Sequence, residues 1–132
     1  MSWIVKLGKK GKKIVKKIIT PAEKHYVGYT RRIERVKTGE RICAMTFDDG
    51  PTRTNSTKVL NSLIEVGAPA TFFMIGKNMK PYADLVQRAH DEGHAVASHN
   101  WTHGDARKIS AATLRAMPEK VNNALISIIG IP

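Results

Sequence analysis

Apolar and polar positions fall into blocks along this chain, and the spacing within the blocks changes from one to the next. ICAMTF (42–47) and ATFFMIG (70–76) are short apolar runs rich in β-branched and aromatic residues. With HAVASH (94–99) they predict three buried strands. TKVLNSLIEVG (57–67) places Val59, Leu60, Leu63, Ile64 and Val66 at helical spacing, with Gly67 as its stop. PYADLVQRAHDEG (81–93) predicts a second helix, with Pro81 near its start and Gly93 at its end. ISAATLRAMPEKVNNALISIIG (109–130) predicts a third, kinked at Pro118. Strand and helix thus alternate three times with short connections. That order predicts an α/β fold with parallel strands and crossover helices. Strands apolar throughout suit a sheet covered on both faces, or a barrel wall.

The first twenty residues differ. In SWIVKLGKKGKKIVKKIIT, positions 4, 7, 11, 14 and 18 share one helical face, and the lysines fall largely on the other. The spacing predicts a basic amphipathic helix over 1–20, ended by Thr20-Pro21. Residues 21–40, polar and basic with Gly28 and Gly39, read as a linker or lead-in.

Charge sharpens this division. Of 22 Lys/Arg and 11 Asp/Glu in 132 residues, the first 40 hold 12 and 3, a net of +9, and the rest only +2. A cationic leader on a nearly neutral body points to an anionic surface. Residues 2–19 are expected to contact an anionic membrane. Nucleic acid is disfavoured, because Trp3 is the one aromatic in that segment for stacking. No stretch reaches the roughly 18 apolar residues of a membrane span. The start also lacks the separate apolar block of a standard signal peptide. The single cysteine, Cys43, sits in an apolar run and reads as a small buried hydrophobe.

Two motifs carry chemistry. TFDDGP (46–51) sets two carboxylates side by side where the first strand ends, and SHNWTHGD (98–105) sets His99 and His103 at the end of the third. Functional groups of α/β folds collect at the carboxyl ends of strands, so both motifs are expected on one rim. Two histidines and one carboxylate make a divalent-metal set with positions left open. One aspartate completes that set, and the other stands beside it as a base. Trp101, between the histidines, either packs the loop or faces a ligand.

At these residues the chain resembles the NodB-type polysaccharide deacetylases, a carbohydrate esterase family. Thr46-Phe47-Asp48-Asp49-Gly50-Pro51 resembles the first family motif. Gly93-His94 leading through Val96 and Ser98 to His99-Asn100-Trp101-Thr102-His103 resembles the second, and Ala70-Thr71-Phe72-Phe73 belongs to the same likeness. The resemblance implies Asp48 as catalytic base and Asp49, His99 and His103 as ligands of a metal, commonly zinc. It implies hydrolysis of N-acetyl groups on a glycan such as peptidoglycan or a chitin-like polymer, outside the cytoplasm or at the cell surface. Asn100 departs from the usual Ser or Thr. The resemblance covers 41–132, about three strand–helix units of a (β/α) barrel. Later family elements, an Arg-Pro-Pro-Tyr-like motif and a Leu-x-His element with the general-acid histidine, are not in the sequence. The chain is therefore expected to be the N-terminal part of the domain and to turn over weakly or not at all. The alternatives are a noncatalytic metal- or glycan-binding remnant and a cationic membrane-surface protein.

Overall fold

The structure, a computed structural model, describes residues 2–7, 13–18 and 41–130. It divides into two compact units, Met1–Ala44 and Met45–Pro132.

In the first unit, β1 (Ser2–Leu7) and β2 (Lys13–Ile18) pair antiparallel, with Ser2 opposite Ile18 and Leu7 opposite Lys13. A short β3 (Ile42–Cys43) pairs antiparallel on the other side of β1. This corrects the helix predicted over 1–20. The reason lies in composition. Each glycine, Gly8 and Gly11, weakens a helix by about 1 kcal/mol relative to alanine. Both fall between two segments whose apolar residues include Ile4, Val5, Ile14, Val15 and Ile18, β-branched types that favour strands. The predicted linker 21–40 lies outside the described residues. Cys43 is exposed, contrary to the expectation of a buried hydrophobe.

The second unit follows the predicted alternation. Three parallel strands, β4 (Thr46–Asp49), β5 (Thr71–Met74) and β6 (Ala95–Ser98), stand in sequence order with β5 central. Thr46, Thr71 and Ala95 align across the sheet, as do Asp49, Met74 and Ser98. The carboxyl ends of all three strands therefore form one rim. The predicted run 42–47 is split between units, since β3 and β4 are separate strands. β4 is also more exposed than a buried strand: only Phe47 of its four residues is partly covered, because β4 lies at a sheet edge.

Four α-helices complete this unit: α1 (Arg53–Val66), α2 (Gly76–Met79), α3 (Ala83–Asp91) and α4 (Ala111–Ile129). α1 starts four residues before the predicted segment, where Ser56 Oγ accepts the Thr52 N–H at 2.9 Å. It ends at Gly67, whose φ of +57° suits glycine. α4 runs unbroken through Pro118 and is capped by Ser110, which accepts the Thr113 N–H. Right-handed crossovers between strands in sequential order put successive helices on one face of the sheet. The packing of α1 on α3 and of α3 on α4 agrees with this. Phe72 and Met74 of β5 are buried, as are Leu60, Val86 and Val121 of the helical layer, while Thr71 and Phe73 on the opposite face are only half-buried. Strictly parallel strands and helices on one face make this a partial (β/α) barrel wall. Among the described residues no helix is long and apolar enough to cross a membrane.

Candidate metal centre

The rim brings the two chemical motifs together through backbone geometry. Strand alternation alone would send Asp48 and Asp49 to opposite faces. Asp48 pairs with Phe73 in the register and belongs to the open face, whereas Phe47 stacks on Phe72, with ring centroids 5.3 Å apart, on the covered one. Asp49 leaves the alternation because its φ is +77°. Aspartate is among the few residue types that adopt this left-handed conformation at low cost. The turn directs its carboxylate along the rim toward the end of β6.

There Asp49 Oδ1 lies 3.2 Å from His99 Nε2 and 3.4 Å from His103 Nε2. The two imidazoles are stacked, with centroids 5.4 Å apart and planes inclined by 29°. One donor atom from each of the three residues lies within 4.8 Å of the other two. Donors around a tetrahedral ion at about 2.1 Å are themselves about 3.4 Å apart, so the spacing suits a bound divalent cation. His99 is partly buried, and Asp49 and His103 are exposed, which leaves the outer side accessible. Among the described residues this is the group of side chains with metal-ligand convergence. Asp48 is exposed, and its side chain makes no hydrogen bond or ion pair with another described residue.

The ligand loop is held from the middle strand, which contributes no ligand. Met74 C=O accepts the His99 N–H at 2.8 Å, and Ile75 N–H donates to Gly50 C=O at 2.8 Å. Gly76 N–H donates to Asn100 C=O at 2.9 Å, and Lys77 N–H donates to Trp101 C=O at 3.1 Å. Residues 74–77 thus fasten both motif loops. The sequence reading missed this segment and the four-residue helix α2 that it opens. Its signal was Gly76 directly after an apolar strand, a mark of close backbone approach.

Asn100 has φ of +66°, receives the Trp101 N–H on its Oδ1 at 2.8 Å, and donates its own N–H to Ser98 Oγ at 3.1 Å. Asparagine tolerates that conformation far better than a β-branched residue, which gives its presence a backbone reason. Trp101 is half-buried, seated over Gly76, with Lys120 Nζ 5.9 Å from its ring centroid. It lines an outer cleft of about 870 Å³ with Lys77, Lys80 and Lys120. The hollow beside the histidines, about 280 Å³, is lined instead by Ser98, His99, Asn100, Thr102, His103 and Gly104.

His94 sits at the opposite end of β6 from this rim. It is buried, its Nδ1 accepts the Ala70 N–H at 3.2 Å, and its ring meets Phe72 edge-on. Burial is the main cause that lowers its pKa from the usual histidine value. Glu92 opposes the shift and Arg88 adds to it.

The sequence profile of the family described as polysaccharide deacetylase matches residues 35–132. A chitooligosaccharide deacetylase of Rhizobium leguminosarum bv. trifolii is 38% identical over 88 residues, covering 67% of this chain and 41% of the relative. A peptidoglycan-N-acetylglucosamine deacetylase of Bacillus cereus is 45% identical over 67 residues, covering 51% of this chain and 24% of the relative. The solved structure of a family 4 acetyl xylan esterase from Clostridium thermocellum, in complex with a cobalt ion, superposes with a TM-score of 0.62 at 27% identity. It covers 67% of this chain and 44% of that one. The chain spans less than half the length of these relatives.

Proposed function

Since the chain belongs to the polysaccharide deacetylase family, we propose that its rim is the metal-bearing part of a site that hydrolyses N-acetyl groups on a glycan. The carrying observation is the convergence of Asp49, His99 and His103, with Asp48 the residue before Asp49 on β4. The N-acetylated polymers named for the relatives, chitin oligomers and peptidoglycan, define the substrate class proposed here. Two imidazoles and one carboxylate suit zinc, and cobalt with similar geometry.

Each residue has a part that follows from its position. Held by Asp49, His99 and His103, a divalent cation supplies Lewis acidity toward the acetyl carbonyl and toward a water molecule. Asp48 accepts a proton from that water as it adds to the carbonyl carbon. The C–N bond then breaks, acetate leaves, and the sugar amine takes up a proton. His99 and His103 keep their Nε2 atoms on the cluster and are committed there. Among the described residues the other histidines, His90 and His94, lie away from the rim on α3 and at the start of β6. The proton for the amine is therefore assigned to water or to a group outside the described residues.

That distribution favours a second reading: the chain binds metal and glycan and releases acetate slowly. A site of action outside the cytoplasm fits the polymer substrates. The expected membrane contact of residues 2–19 now rests on their charge alone, because Ser2–Leu7 and Lys13–Ile18 are strands. Acetate release from an N-acetylglucosamine oligomer, with zinc and after chelation, tests the main reading. Release that stops on chelation and returns with zinc supports it. Release indifferent to chelation contradicts it.

A further inference from the structure

We propose that Gly76 is a positioning residue for the metal cluster, and that it acts by giving the Trp101 indole a seat. The inference rests on the reading of Asp49, His99 and His103 as metal ligands.

A Cβ at position 76 would lie 2.6 Å from Trp101 Cε3, 3.1 Å from its Cζ3, and 2.8 Å from Val121 Cγ2. Ordinary carbon contacts are about 3.5–4.0 Å. The missing Cβ is thus an absence of roughly 1 Å in two directions. Val121 is fully buried on α4 and has little room to yield, whereas Trp101 is half-buried at the surface. A side chain at 76 therefore pushes the indole outward.

Trp101 stands two residues from each histidine ligand, and its backbone is bonded to the same turn. Gly76 N–H holds Asn100 C=O and Lys77 N–H holds Trp101 C=O. Displacing the indole strains both bonds and moves the loop that carries His99 and His103. Metal–ligand distances tolerate about 0.2 Å, several times less than the overlap a Cβ creates. The consequence falls on metal binding first. The fold has its own support, since β5, β6 and the α3–α4 packing do not pass through this contact.

The test is cobalt(II) titration of the full 132-residue chain, followed by the visible absorption of the bound ion, with far-ultraviolet circular dichroism as the check on folding. Gly76→Ala is expected to keep its helical signal and to bind cobalt about 10–100-fold more weakly, the range for lost support around ligands. Trp101→Ala removes the seated group without creating overlap, and is expected to weaken cobalt binding about 10-fold. With both changes, the loss should fall well short of the product of the single losses, because the indole that transmits the push is gone and only the overlap with Val121 remains. Unchanged cobalt affinity in either single variant overturns the proposal, as does a double-variant loss equal to the product of the single ones. If Gly76→Ala fails to fold, Trp101→Ala decides alone: weakened binding supports the role and unchanged binding overturns it. No cobalt binding by the unsubstituted chain overturns the metal reading, and the positioning role with it.

Discussion

Replacing His94 separates a hydrogen bond from a titration. In the folded chain its Nδ1 accepts the Ala70 N–H at 3.2 Å, so the neutral ring carries its proton on Nε2. That atom is buried without a hydrogen-bond partner and faces the equally unpartnered Glu92 Oε2 across 3.8 Å. His94→Ala leaves the Ala70 N–H buried and unpaired, at about 1–3 kcal/mol. It also removes the edge contact with Phe72, about 0.5–1.5 kcal/mol. The expected loss in urea unfolding at pH 7.5, followed by the helical dichroism, is about 2–4 kcal/mol. His94→Asn can place Oδ1 near the lost Nδ1, and should recover about 1–2 kcal/mol of this. The pH dependence has a definite sign. Burial lowers the folded pKa, so the unfolded chain takes the proton at a higher pH than the folded chain does. The contribution is complete above the ordinary histidine value of about 6.5 and is lost as pH falls through the folded pKa. Protonation also turns Nδ1 into a donor facing the Ala70 N–H. The unsubstituted chain should therefore lose more stability than His94→Asn between pH 7.5 and 5.5. Equal losses in both would refute this account of the buried ring.

Other expectations concern the site and the backbone. Asp48→Asn should bind zinc as the unsubstituted chain does and lose most acetate release, read by calorimetry and an acetate assay; loss of metal would reverse the roles of the two aspartates. Gly67→Ala meets no atom within 4 Å at its Cβ, so the φ of +57° is the term it tests. It should cost about 1–2 kcal/mol in urea unfolding, and a change below a few tenths would show that α1 re-forms its end.

Much of the site could be read in advance because its chemistry is written locally. Two carboxylates at a strand end and two histidines four residues apart name their own chemistry, and strand alternation with helices put both on one rim. The turn that joins them could not be read in the same way. Alternation along TFDD says that Asp48 and Asp49 diverge, and only the left-handed Asp49 explains why one reaches the histidines. α2 was hidden because Gly76 read as the end of an apolar strand and Pro81 as the start of the next helix, whereas tertiary hydrogen bonds to the ligand loop keep one helical turn from Gly76 to Met79. The N-terminal segment misled for a different reason. Its lysines satisfy a helical period, but β-branched residues around two glycines pair as strands, and a helical pattern alone carries no information about that partner.

Zinc titration by calorimetry bears on the central claim most directly, because it asks whether three residues from two motifs act as one site. The account predicts one tight site per chain, lost in His99→Ala and in Asp49→Ala alike. A chain that takes up no zinc, or that binds it undiminished after either substitution, would contradict it.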